Sequence, residues 1–183
     1  MCEAGRMAAP DRTPPPPPPP PALREGTAAD AADVARLYLA SRRSAYAGLV
    51  PAGVLDAEGP EQELLWALRL DADYGTPADT PVLLLAERDG AGVDGFAYLV
   101  PDGGEVRLEQ LHVRPGRTGA GIGTHLLRAA LERFPGAPVR LEVLAANRRA
   151  IAFYERHGAH RLGRGTAHFP GGTQLPQYAY GWN

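Results

Sequence analysis

The chain contains no lysine, and all 19 of its basic residues are arginine. That absence removes lysine Schiff-base chemistry, a lysine general base and the lysine of a Walker-type phosphate loop. Cysteine is nearly missing too. Cys2 is the only one, which excludes an internal disulfide and a cysteine-rich zinc site. No apolar run is long enough to span a bilayer, and the N-terminal segment lacks the apolar core of a signal peptide. A cytoplasmic protein with no membrane partner is therefore expected. Nor is there an excess of charge of one sign. The 19 basic and 21 acidic residues sum to −2, which argues against a bulk basic surface and a nucleic-acid partner.

Glycine and proline are abundant, at 22 and 19 residues, and the prolines are clustered. Pro14 to Pro21 is an unbroken run. It offers no backbone donors and favours an extended polyproline II rod. Residues 1–21 are expected to be a disordered proline-rich tail, with Met7 as a second candidate start. Such a tail reads either as solvated chain or as a ligand for a polyproline-binding module. Residues 22–183 are expected to be a single folded domain, since 44% of the 183 residues are hydrophobic and that length suits one core.

Within that domain strands and helices alternate. Ala22 to Glu25 reads as a short strand, and Thr27 with Asp30 as a helix start. Val34, Leu37, Tyr38 and Ser41 share one face of a helix running to about Ala45. Gly48 to Pro51 breaks it. A second helix from Pro60 carries Leu64, Leu65, Trp66 and Leu68, with Trp66 read as core. After a polar loop over 71–81, strands follow at Val82–Glu87, Phe96–Val100 and Glu105–Val113, separated by Asp89-Gly90 and Asp102-Gly103-Gly104. A helix over 121–134 buries Leu126, Leu127, Ala130 and Leu131 and ends at Pro135-Gly136. Val139–Leu144 is a strand, and Asn147–His157 a helix stopped by Gly158. Terminal strands are read at Ala159–Gly163 and Gln177–Trp182. Strands ahead of a βαβα segment indicate an α/β (α+β) domain, a mixed sheet with helices on both faces.

The chemistry concentrates at Leu111-His112-Val113-Arg114-Pro115-Gly116-Arg117-Thr118-Gly119-Ala120-Gly121-Ile122-Gly123-Thr124. This is a strand, a glycine-rich turn and a helix start. The first helical turn leaves N–H groups without intrahelical partners, and the helix dipole favours negative charge there. A phosphate or diphosphate is the expected guest. Thr124 offers a hydroxyl, and Arg114 or Arg117 a cation. The glycines at 119, 121 and 123 do not match the G-x-G-x-x-G spacing, and no Gly-Lys-Ser/Thr is present.

A second segment, Leu141-Glu142-Val143-Leu144-Ala145-Ala146-Asn147, leads into Ala150-Ile151-Ala152-Phe153-Tyr154-Glu155-Arg156-His157-Gly158. Together the two segments resemble the GCN5-related N-acetyltransferase (GNAT) superfamily. Its first motif is a strand ending V-x-P, then Q/R-x-x-G-x-G/A and a helix. Its second is a strand, an Asn, and a helix carrying A-x-x-x-Y before a Gly. Residues 41–51 also resemble the first helix and loop of bacterial members. Thr118 stands where the family has Gln or Arg, with Arg117 one residue early, and Arg42 stands where the first-helix motif has Trp.

The resemblance implies a mostly antiparallel sheet of about seven strands whose fourth and fifth strands splay apart. It implies acetyl-CoA (acetyl-coenzyme A) as acyl donor, with no metal, and an acetyl group passed directly to a primary amine in a ternary complex. The acceptor is a small molecule or a protein N-terminus. The cofactor arm is expected along the backbone of Leu111, His112 and Val113, the diphosphate on residues 117–124, and Asn147 on the arm. Tyr154 is expected to face the thioester sulfur as acid. Glu142 resembles a glutamate implicated as base in ribosomal-protein N-terminal acetyltransferases. Glu109 competes for that role, and by strand alternation it should share a face with Leu111 and Val113. Arg42 and Tyr46 are candidates for the acceptor pocket. His157 and His160 have an H-x-x-H spacing but no patterned third ligand, so metal binding is not expected. A homodimer is common in the family. The alternative reading is a non-catalytic acyl-CoA-binding module of the same fold.

Overall fold

The computed structural model describes residues 21–56, 59, 61–88 and 92–182. The proline run through residue 20, Cys2, Met7, Pro60 and the Asp89-Gly90 turn lie outside them.

The first strand, β1 (Ala22–Glu25), leads into a single 3-10 turn at Ala28–Asp30. The Asp30 carboxylate accepts from the Thr27 N–H at 2.8 Å, as the spacing predicts. Arg24 grips Asp30 at 2.6 Å and Glu87 at 2.7 Å. These bonds hold both carboxyls below the usual carboxylate range. Helix α1 (Ala31–Tyr46) follows and buries Ala31, Val34, Ala35, Leu37, Tyr38 and Ser41, one face at helical spacing. A short helix, α2 (Ala52–Asp56), occupies a stretch with no helical pattern in the sequence. Leu55 secures it by packing with Val50 and Leu144. Helix α3 (Gln62–Asp71) buries only Trp66, whereas Leu64, Leu65 and Leu68 are exposed.

The sheet comprises β2 (Val82–Arg88), β3 (Gly92–Asp102), β4 (Glu105–Val113), β5 (Val139–Leu144), β6 (His160–His168) and β7 (Gln174–Trp182), with β1 at one edge. The order is β1-β2-β3-β4-β5-β7-β6. Every pair is antiparallel except β4–β5. The last two strands run several residues longer than the sequence pattern suggests. Helix α4 (Ile122–Arg133) makes the crossover from β4 to β5, and α5 (Arg148–Arg156) follows β5. A parallel pair needs such a crossover.

Helices cover both faces. Ile122, Leu126 and Leu127 of α4 and Ile151 of α5 pack with Val106, Leu108, Leu141 and Val143 on one side. On the other, α1 and α3 pack on Leu83, Leu85, Phe96 and Tyr98. Trp66 is fully enclosed there, edge-on to Phe96 at 5.3 Å and Tyr98 at 5.2 Å. Each such ring pair adds about 1 kcal/mol beyond its buried area.

Gly95 sets how closely α4 approaches the sheet. A Cβ there would lie 2.9 Å from the His112 carbonyl oxygen and 3.0 Å from both Ile122 Cγ2 and Leu126 Cδ1. Gly95→Ala is expected to destabilise the fold by about 1–3 kcal/mol through overpacking. Chemical denaturation checks it, and an unchanged midpoint would show that α4 yields without cost.

Candidate active site

Strands β4 and β5 pair only at Val106–Val139 and Arg107–Arg140. Beyond Arg107, β4 runs on to Val113 with β3 on its other edge. Beyond Arg140, β5 keeps only β7. The two strands thus part and leave backbone groups of Leu111, His112 and Val113 beside a gap. The gap opens into a cleft of about 710 Å³ walled by α1, β4, β5, α5 and the start of α4.

The glycine-rich turn forms one end of this cleft. Gly116, Gly119 and Gly121 have φ of +82°, +88° and +80°, a region that glycine enters without steric cost. Gly121 is the N-cap of α4. Intrahelical bonding resumes with the His125 N–H on the Gly121 oxygen at 3.0 Å, so the N–H groups of Ile122, Gly123 and Thr124 lie ahead of it. Thr118, Gly119, Gly121, Gly123 and Thr124 line the cleft, while Arg117 and Ala120 do not. The Ile122 side chain is wholly in the core. Arg114 is committed elsewhere. Its Nε lies 3.2 Å from the buried Asp94 carboxylate, and its N–H donates to the Asp94 carbonyl at 2.8 Å. It bolts the root of the turn to β3, a role that no local spacing announces.

The opposite wall is α5. The Asn147 side-chain oxygen accepts from the Ala150 N–H at 3.1 Å and caps the helix. That oxygen is therefore engaged, and a bond from Asn147 to a ligand would come from its NH2. Tyr154 is half-buried on the cleft wall, edge-on to Phe153 at 5.3 Å and Trp182 at 6.2 Å. Burial, with a lesser contribution from Tyr46, pushes its phenol above the ordinary value, so the hydroxyl keeps its proton. His157, Arg149 and Arg156 share this wall. In the sequence His157 stands out only through an H-x-x-H spacing that lacks a patterned third ligand.

The two carboxylates reach the cleft differently. Val106 and Leu108 are core residues on the α4 side, and so are Leu111 and Val113. The parity changes at 109 because the register slips there, with Leu99 opposite Leu108 and Tyr98 opposite Gln110. Strand alternation would place Glu109 with Leu111 and Val113; the bulge overturns that. Glu109 instead pairs with Arg107 at 2.9 Å. Glu142 is exposed and, among the described residues, has no ion pair. Both line the cleft, with Gln110.

Ser41, Ser44 and Tyr46 bring α1 to the cleft. Ser41 was legible as part of the buried helical face, but not as a cleft residue. His112 binds Ser41 Oγ through Nδ1 at 3.0 Å and Gln110 Oε1 through Nε2 at 2.8 Å. Burial, with Arg42 as a lesser cause, pulls it down to about 3, so it is a neutral strut. Arg42 is not on the cleft wall. Its guanidinium lies over Tyr46 at 4.9 Å, Tyr38 at 5.2 Å and Phe169 at 5.9 Å.

Residues 43–159 match the model of the acetyltransferase (GNAT) family. A mycothiol acetyltransferase of Clavibacter michiganensis subsp. michiganensis is 36% identical over 104 residues, 55% of this chain and 34% of that protein. The chain thus spans about a third of the length of the curated relatives it matches. Among solved structures, a GCN5-related N-acetyltransferase from Rhodopseudomonas palustris is 25% identical, with a TM-score of 0.62 over 88% of this chain and 94% of that one. The PaiA N-acetyltransferase of Thermoplasma acidophilum, solved in complex with coenzyme A, is 20% identical with a TM-score of 0.62, covering 85% of this chain and 96% of that one.

Proposed function

This chain belongs to the acetyltransferase (GNAT) family, and on that premise we propose that it transfers an acetyl group from acetyl-CoA directly to a primary amine. One juxtaposition carries this reading: the N–H groups at the start of α4 and the Tyr154 phenol border the same cleft, at the place where β4 and β5 part.

The residues present fit such a donor. The turn from Thr118 to Thr124 offers N–H groups and the positive end of a helix to a diphosphate. Apart from the glycine and its chain neighbours, nothing among the described residues lies within 4 Å of where a Cβ would stand at Gly119 or Gly121, so a ligand can approach the backbone there. The edges of β4 and β5 at the gap take an extended arm as a strand would. Bound acetyl-CoA supplies a thioester whose carbonyl carbon bonds to the amine nitrogen as the carbon–sulfur bond breaks. Tyr154 donates a hydrogen bond to the departing sulfur, which leaves as a stabilised thiolate. The amine gives up its proton to Glu142, directly or through water. Glu142 suits that role better than Glu109, whose carboxylate is held by Arg107.

The test is thiol release from acetyl-CoA with a panel of small amines and N-terminal peptides. Amine-dependent release supports the enzyme. Binding of acetyl-CoA with no release for any amine would instead assign a binding module.

A further inference from the structure

Thr124 and His157 lie 33 positions apart, yet their side chains meet on the cleft wall. His157 Nδ1 is 2.8 Å from the Phe153 carbonyl oxygen, and its Nε2 is 3.0 Å from Thr124 Oγ1. A carbonyl can only accept, so Nδ1 carries a hydrogen. In the neutral ring Nε2 is then an acceptor, and the Thr124 hydroxyl must donate to it. The Thr124 hydroxyl proton is thereby committed to the ring, and only the oxygen's lone pairs are left for an incoming anion. One proton on Nε2 reverses this. Nε2–H donates to Thr124 Oγ1, the hydroxyl turns to the cleft as a donor, and a positive charge stands one atom behind it.

The surroundings of the ring bear on that proton. His157 is the C-cap of α5, at the negative end of the helix dipole. Arg156 and Arg149 share its wall of the cleft. The nearest acid on α5, Glu155, is held by the Tyr180 hydroxyl at 2.6 Å. From α4 the contact is Thr124, and from β7 it is the Trp182 indole, which donates to the His157 carbonyl at 2.8 Å. The Phe153 ring lies against the imidazole at 4.4 Å. An oxyanion seated beyond Thr124 would place a negative charge on the side of the ring that Nε2 faces.

We infer that His157 is a positioning residue that couples diphosphate binding at Thr124 to the uptake of one proton. This rests on the acyl-donor reading above. The test uses dephospho-coenzyme A, whose diphosphate has no group titrating near neutrality. Calorimetry in buffers of different ionisation enthalpy counts protons taken up, and affinity is followed from about pH 8 to about pH 5.5, the range that brackets histidine. Proton uptake is expected in the native chain, with binding about tenfold tighter at the acid end. His157→Gln and Thr124→Val are each expected to remove both the uptake and the pH dependence. Thermal unfolding reports whether they fold. Binding by the native chain without proton uptake, or the same pH profile in His157→Gln, overturns the coupling alone. No binding at any pH overturns the acyl-donor reading and the coupling with it.

Discussion

Replacing Tyr154 by Phe is expected to lower turnover by about 10²- to 10³-fold and leave coenzyme A affinity nearly unchanged. The ring stays, with its contacts to Phe153 and Trp182, so packing is retained and only the hydroxyl is lost. That loss corresponds to about 3–4 kcal/mol of transition-state stabilisation. A thiol titrates near 8.5, below tyrosine near 10, so full proton transfer from a phenol to a thiolate is uphill. The benefit comes from a hydrogen bond that strengthens as charge grows on sulfur. Burial raises the Tyr154 phenol further, and its sign matters. A raised value preserves the acid form as the pH climbs through the ordinary tyrosine range, so activity is not expected to fall through loss of this proton up to about pH 10. Steady-state rates with the best amine, together with calorimetric binding of coenzyme A, check both halves. Equal turnover in the variant and the native chain would remove Tyr154 from the chemistry.

Gly121→Glu is expected to weaken coenzyme A binding by at least about 10²-fold, or abolish it. Two effects enter, one on the fold and one on binding. The residue sits at φ +80°, where a side chain costs the fold about 1–2 kcal/mol. The loss of affinity comes from placement: Gly121 is the N-cap of α4 and borders the cleft, so a carboxylate there competes for the position expected of the diphosphate and satisfies the helix terminus itself. Gly121→Asn separates the terms, because Asn tolerates this backbone region and carries no charge; its loss is expected to be smaller. Unaltered affinity in the Glu variant, with the fold intact by thermal unfolding, would mean that the diphosphate binds elsewhere.

Much of the fold is legible because its signals are local. Gly and Pro at 135–136 stop α4, Gly158 stops α5, and the apolar runs at 82–87 and 139–144 mark strands with nearly their observed bounds. Thr27 and Asp30 announce the first helix through a contact three residues long. The glycine-rich turn is equally local, and its positive φ values are the reason glycine stands there. Where the signal is not local, the sequence misleads or is silent. Alternation along β4 fails at Glu109, because a bulge depends on the register chosen by β3. Helix α2 has no pattern of its own and exists because Leu55 finds Val50 and Leu144. The leucines of α3 look like Trp66 in a list of apolar residues, yet only Trp66 meets the aromatic side chains of β3.

The candidate site divides in the same way. The sequence by itself determined the residue types and their order: a glycine-rich turn after one strand, then an asparagine and a tyrosine on the helix after the next. These follow from spacing along one chain segment, where φ, capping and helical pitch are fixed by neighbours. Only the tertiary structure decided which groups stand together. It parted β4 from β5 after a single short stretch of pairing, turned Arg114 inward to Asp94, left Arg42 stacked on Tyr38, Tyr46 and Phe169, and set His157 against Thr124. Each of these is a contact between residues distant in the chain. Its energy depends on where a whole sheet and its helices come to rest, which no window of sequence contains.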